Sequence, residues 1–313
     1  MQKLKVIIPE RMNGERLDVA IAEMLPDYSR SKITAKIKSG EALIDSKTFK
    51  PKDKASGKET VFLVFNHKNY THWEAEDISL NIVFEDEDII VINKPFGLVT
   101  HPGAGNWSGT LANALLYHDK NLLKLDRAGI VHRLDKNTSG LMVISKNAKS
   151  QKHLVNQLQV HSVEREYSAI VYGHMISGGT VNEPIGRDSR DRIKQAISNG
   201  GKEAITHYRV IDRYKSHTHV KAILETGRTH QIRVHLSHIG HPLVGDPVYG
   251  GRVRYPKKAA QDLKNALIQL ERQALHSKKL TLTHPSSGET MTWRIGLPDD
   301  MKSLLNILME FDS

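Results

Sequence analysis

Apolar residues recur along the first forty positions with a helical period. Leu17, Ile21, Met24 and Leu25 share one face, and the pattern stops before Pro26, which predicts a short helix. A second helix is predicted from Ser29, a good N-cap, with Ile33 and Ile37 inward and Gly40 as its stop. Arg30, Lys32, Lys36 and Lys38 then project outward from it. The runs "EALI" and "TVFLVF" read as strands on either side of a lysine-rich loop, Lys47 to Lys58. The stretch "NHKNYTHWEAEDIS" loses all periodicity and reads as a linker. Two domains are therefore expected: a small one with its linker over 1–75, and a larger one over 76–313.

From about residue 80 the pattern changes. "NIVFEDEDIIVINKP" predicts a hairpin, two apolar runs around an acidic turn. "SGTLANALLYH" predicts a capped helix with Leu111, Ala114 and Leu115 on one side. "LMVIS" reads as a strand, followed by a helix from Asn147 to about His161 and the strand "REYSAIVYG". Strands near 204–212 and 218–225 precede a helix, "THQIRVHLSHIG", with Ile232, Leu236 and Ile239 inward. Another helix, "AQDLKNALIQLERQAL", leads to two last strands and a C-terminal helix. Strands outnumber helices and several adjoin directly, so an α+β fold with a mixed, largely antiparallel sheet is expected. No internal repeat is visible.

Composition narrows the class. With 313 residues, 39% hydrophobic and 26% charged, the chain reads as globular and not as disordered. A net charge of +10 and a pI near 9.5 make a polyanionic partner plausible, nucleic acid being the commonest. The start, "MQKLKVIIPERMNGERL", has no apolar core long enough for a signal peptide, and "IIVIN" is far short of a membrane span. Zero cysteines exclude disulfides, thiolate metal sites and a cysteine nucleophile. A cytoplasmic protein is expected.

Two stretches carry dense chemistry. In "GIVHRLDKNTSGLMVISKN", His132 and Arg133 precede Asp135 and Lys136 follows it, at the mouth of a buried strand. The carboxylate there is either an Asx-turn that satisfies nearby N–H groups or a piece of chemistry. A carboxylate beside an arginine is held in its charged form, which suits nucleophilic or electrostatic work at a carbon that develops positive charge. In "LETGRTHQIRVHLSHIGHPLVGDPVYGG", Thr229 could cap the following helix and set Arg228 beside its positive end. A cation there calls for an anion, either Asp135 or a phosphate. The histidines at 230, 235, 238 and 241 invite a zinc reading, but Arg233 and an apolar face interleave them and no thiolate helps, so no metal is expected. Tyr167 lies on a strand, where an aromatic is usually core, although beside a carboxylate and an arginine it could stack on a base. "RDSRDRIKQAISNGGK" is a polar loop with five basic residues. "HRLDKN" echoes the kinase catalytic loop, but its spacing is wrong and the accompanying kinase motifs are missing.

Taken together, these stretches resemble the RluA-type RNA pseudouridine synthases over nearly the whole chain. "GIVHRLDKNTSGL" resembles that family's active-site motif, "EREYSAIVYG" its tyrosine motif and "LETGRTHQIRVH" its arginine motif. "HPLVGDPVYGG" and "RQALHSKKLTLTHP" match further signature segments in the family's order. Residues 14–66 resemble the small alpha-L RNA-binding module, with "LIDSK" where that module has Val-Asn-Gly. "HPGAGNWSGTLANALL" and "HPLVGDPVYGGRVRYPK" are most like the branch that acts on the helix 69 stem-loop of 23S ribosomal RNA.

The resemblance implies a uridine isomerase that needs no organic cofactor and acts on 23S rRNA or the large ribosomal subunit precursor. It implies Asp135 as catalytic carboxylate, Arg228 as its ion-pair partner, and Tyr167 stacked on the target uracil. Arg133 resembles the arginine that fills the gap left by a flipped nucleotide. Further RNA contacts are expected from His132, His230 and Arg233, and from Arg30, Lys32 and Lys36 in the N-terminal module. A monomer is expected. The competing class is a non-catalytic RNA-binding or assembly factor that keeps the fold; the set Asp135, Tyr167 and Arg228 favours the isomerase, since binding alone does not require that acid.

Overall fold

A computed structural model of the chain describes residues 2–25, 28, 30–65, 73–103, 105–191 and 194–312. It divides into two compact units, residues 1–72 and 73–313.

In the first unit, strand β1 (Gln2–Ile7) leads to helices α1 (Leu17–Met24) and α2 (Arg30–Lys38), then strands β2 (Ala42–Ile44) and β3 (Thr60–Phe65). The three strands form an antiparallel sheet in the order β1-β3-β2. Leu17 and Ile21 of α1 and Ile33 and Ile37 of α2 are buried against Val61 and Leu63, as their period requires. Met24 closes its helix exposed. The expected cap Ser29 and the side chain of Lys32 lie outside the described residues. Lys36 corrects the expected outward row: it is buried and pairs with Glu41 at 2.8 Å, because its position on the helix faces the Gly40 turn that brings Glu41 back. Arg30 is exposed along its length, yet its guanidinium donates to the buried Asp18 at 2.9 Å. Lys38 stays at the surface.

The second unit is built on a nine-stranded sheet. Its strands are β4 (Ile82–Glu85), β5 (Ile89–Lys94), β6 (Ser139–Ser145), β7 (Glu164–Tyr172), β8 (Gly179–Asn182), β11 (Ile205–Arg213), β12 (His217–Leu224), β13 (Leu275–Thr283) and β14 (Thr290–Arg294). The order is β4-β5-β6-β13-β7-β12-β11-β8, with β14 pairing β13 off that path. Only β6 and β13 run parallel; every other pair in the sheet is antiparallel. A separate hairpin, β9 (Ile185–Arg187) with β10 (Gln195–Ile197), occupies part of the stretch that reads as a polar loop.

Both faces of the central strands are covered, which is why "IIVIN" and "LMVIS" are continuous apolar runs and not alternating ones. Ile90, Ile92, Met142 and Ile144 pack under helices α3 (Leu111–His118) and α5 (Gln231–His238). Their neighbours Ile89, Val91, Leu141 and Val143 face the other way, toward Leu154 of α4 (Ala148–Gln159). Farther along that second face, Ile170 and Tyr172 meet helices α6 (Gln261–Gln269) and α7 (Asp299–Asp312). Helix α6 stops at Gln269, short of its sequence pattern, because Ala274 and Leu275 are drawn into the sheet and Arg272 forks onto Asp300 at 2.6 and 2.8 Å. Gly140 is obligatory where β6 meets β13: its φ is +116°, and a Cβ would lie 2.3 Å from the Ser277 carbonyl oxygen.

Candidate active site

The segment before β6 presents Asp135 and is tied down from several directions. Thr138 N–H donates to the Asp135 carbonyl at 3.0 Å, closing a turn, and Gly97 N–H donates to the Lys136 carbonyl at 2.8 Å. Thr100 Oγ1 donates to the Leu134 carbonyl at 2.7 Å, and Gln273 Nε2 to Thr138 Oγ1 at 3.1 Å. Beneath the turn, the fully buried Lys94 ammonium donates to the carbonyls of Pro95, Leu98 and Lys136 at 2.8, 2.8 and 3.2 Å. Its three N–H donors thus meet three acceptors. Burial pushes the Lys94 pKa down to about 7, with the Asp135 charge opposing that shift.

The Asp135 side chain accepts from Arg233 Nη1 at 3.0 Å, and His230 Nε2 lies 3.9 Å from the same oxygen. Among the described residues no backbone N–H donates to the carboxylate, so the side chain does not make the Asx-turn its position allows. Arg233 is itself buried and forked onto Asp246, through Nε at 2.7 Å and Nη2 at 2.9 Å. Val248 and Tyr249 N–H donate to Asp246 Oδ1 at 2.8 and 3.0 Å. Burial works against charge on Arg233, but Asp246 and then Asp135 outweigh it and raise its pKa. Burial likewise opposes charge on Asp246, and Arg233 with the two N–H groups overcomes it and lowers its pKa. The result is a fixed guanidinium between two carboxylates, one interior and one facing a cavity.

Arg233, and not Arg228, is therefore the partner of Asp135. Helix α5 begins at Gln231, and its N-cap is His230 in a left-handed conformation (φ 58°), so Thr229 does not cap it. Arg233 falls in the first turn beside the inward Ile232 and Leu236, which aims it at the sheet. Arg228 lies before the left-handed residue; its Nε donates to the Glu203 carbonyl at 2.8 Å, and its N–H to Gln231 Oε1 at 2.9 Å.

The cavity in front of Asp135 holds about 500 Å³, ample for a small-molecule-sized ligand. Tyr167, Arg165, Arg228 and His230 line it with Asp135 and Arg233. Tyr167 is buried on β7, and burial raises its pKa while Arg165 opposes the rise, so the phenol stays protonated at neutral pH. His132 lines the wall as well, but its Nε2 accepts the Val143 N–H at 3.0 Å. Burial and then Arg165 push its pKa down to about 3. It stays neutral and so brings no positive charge to the cavity wall. His230 is also pushed down by burial, with Asp135 opposing, and its Nδ1 lies 2.9 Å from the Tyr249 hydroxyl. Arg133 is exposed on the rim. Arg127 joins it there from a turn in which Arg127, Ala128 and Gly129 all have positive φ (54°, 52° and 79°). Holding the first two there costs about 1–2 kcal/mol each. Gly129 is obligatory, since a Cβ would come within 2.0 Å of the Ser145 carbonyl oxygen.

Among the described residues no group of three potential ligands could hold a metal ion. His235 is engaged with Thr206 and Glu183, and His241 with the Tyr172 carbonyl, so these histidines do not converge.

Residues 88–238 match the RNA pseudouridylate synthase family. With half of all positions identical to relatives of that kind over almost the full length, the chain belongs to the RNA pseudouridine synthases. It is 50% identical over 303 residues to ribosomal large subunit pseudouridine synthase D of Pseudomonas aeruginosa, covering 97% of this chain and 95% of that one. The protein so named in Escherichia coli K12 is 50% identical over 307 residues, covering 98% and 94%. Among solved structures, human RNA pseudouridylate synthase domain containing 4 superposes with a TM-score of 0.57 at 27% identity, over 73% of this chain and 93% of its own.

Proposed function

We propose that this protein isomerises uridine to pseudouridine in 23S ribosomal RNA, at the helix 69 stem-loop, with Asp135 as its catalytic carboxylate. The observation that carries the reading is the cavity-facing Asp135 held by Arg233, with Tyr167 lining the same cavity. The substrate rests on the two relatives, whose names specify the large ribosomal subunit, and on "HPGAGNWSGTLANALL" and "HPLVGDPVYGGRVRYPK". In the reaction the N1–C1′ bond breaks and a C5–C1′ bond forms. The proton lost from C5 is matched by one gained at N1, so no oxidant, reductant or water is consumed.

Each residue then has a task. Asp135 supplies a carboxylate where the glycosidic bond is broken and remade, and Arg233 fixes its orientation. Tyr167 offers an aromatic face to the everted uracil. Arg133 on the rim takes the place the base has left in the RNA, offsetting the few kcal/mol that extrusion costs. His230 and Arg228 border the same opening, and the basic N-terminal unit, with Arg30 at its surface, adds RNA contacts. The protein acts as a cytoplasmic monomer without an organic cofactor. Pseudouridine mapping of 23S rRNA from cells with and without the protein tests this: loss of signal in helix 69 is expected. An unchanged map, with no turnover by purified protein on any rRNA, would favour a binding or assembly factor instead.

A further inference from the structure

Three arginines of the described chain are buried: Arg165, Arg233 and Arg272, at 5%, 4% and 3% exposure. Two of them are forked onto a carboxylate, Arg233 onto Asp246 and Arg272 onto Asp300. Arg165 has none: among the described residues no carboxylate lies within 4.0 Å of its guanidinium. Its Nη2 donates to the Glu225 carbonyl at 2.9 Å, an acceptor it shares with His161, and its buried Nε has no hydrogen-bond partner. A buried charge without a counter-charge, and a buried N–H without an acceptor, are both costly. Such violations of local rules are expected where a site has another purpose.

The position fits one. Arg165 stands two residues before Tyr167 on β7, so both side chains leave the same face of the strand, and both line the cavity. Across from it the chain has Gly227, where a Cβ would come within 2.6 Å of Arg165 Nη1, so any side chain there would displace the guanidinium.

We propose that Arg165 is a substrate-recognition residue, whose guanidinium receives an oxygen of the everted nucleotide, either of a flanking phosphodiester or of a uracil carbonyl. This rests on reading the cavity as the uridine site. A guanidinium donates in a planar fork suited to either oxygen, and a charge-assisted hydrogen bond made there completes the pairing that Arg233 and Arg272 already have.

Arg165→Met and Arg165→Lys, compared with wild type on an rRNA stem-loop, test it. Arg165→Met is expected to keep or raise Tm, since it removes an uncompensated buried charge, while RNA affinity or kcat/KM falls roughly tenfold to a hundredfold. Arg165→Lys is expected to recover part of that loss. A methylphosphonate at the linkage flanking the target identifies a phosphate contact: it would weaken wild type, leave Arg165→Met unmoved, and match a salt slope lower by about one in that variant. A thiocarbonyl on the target base giving the same pattern identifies a uracil carbonyl.

Wild-type behaviour of Arg165→Met overturns the inference. So does a fall in Tm that accounts for the lost activity, which would make Arg165 a strut of the fold. So does equal sensitivity of wild type and variant to both modified RNAs. If wild type itself forms no pseudouridine, the proposed function fails, and the binding comparisons still decide the role of Arg165.

Discussion

Two walls of one cavity treat a buried guanidinium in opposite ways. On the α5 side, Arg233 sits between Asp246 and Asp135 and uses Nε and both terminal nitrogens on carboxylates. On the β7 side, Arg165 has a single carbonyl and an orphan Nε. The first arrangement is complete within the chain and fixes a reactive carboxylate. The second is incomplete among the described residues, which is what a recognition group awaiting a ligand requires. Burial alone does not distinguish them; the inventory of partners does.

The same substitution at the two positions should separate them most sharply. Arg233→Met leaves the fully buried Asp246 without its counter-charge and should lower stability by about 3–5 kcal/mol. Denaturant unfolding reads this, and turnover should be lost even where the variant stays folded. A stability change no larger than that of Arg165→Met would erase the distinction between the walls.

An effect smaller for each group taken singly concerns histidines that escape charge in the interior. Burial pushes His132 down to about 3 and His217 and His276 down to about 4, against an ordinary value of about 6.5. Because these folded values are depressed, the unfolded chain takes up protons first. Stability is therefore full above about pH 6.5 and is lost as pH falls toward the folded values, by about 1–2 kcal/mol per histidine at pH 5. A urea midpoint that stays flat from pH 7 to 4.5 would contradict this. The least effect is expected at Arg228, whose Nε reaches only the Glu203 carbonyl. Arg228→Ala should cost about 1 kcal/mol or less in kcat/KM, and a loss as large as that from Arg233→Met would restore Arg228 as the partner of Asp135.

Much of this arrangement can be read from the sequence, and the exceptions have physical causes. The α+β class and most central strands follow from apolar runs bounded by turns, and Asp135 and Tyr167 stand out within dense motifs. β1, β8 and the β9–β10 hairpin are harder to read, since short edge strands and polar hairpins carry little burial to mark them. Between Arg228 and Arg233 the sequence points to the wrong one, because Thr229 looks like a cap, and nothing local announces a left-handed His230 as the true one. The inward neighbours Ile232 and Leu236 were the better guide. Asp246 hides in a Gly-Asp-Pro turn, where an aspartate ordinarily serves its own backbone. Here Oδ1 does so, while both oxygens also hold Arg233. For Arg165 a signal was present: a charge in phase with Tyr167 on the buried face of a strand.

The central claim is that the carboxylate of Asp135 is indispensable to chemistry and dispensable to binding. Asp135→Asn, assayed on rRNA carrying tritium at uracil C5, tests it most directly, because forming the C5–C1′ bond must expel that label. The account predicts no tritium release alongside RNA affinity equal to wild type; release at the wild-type rate would contradict it.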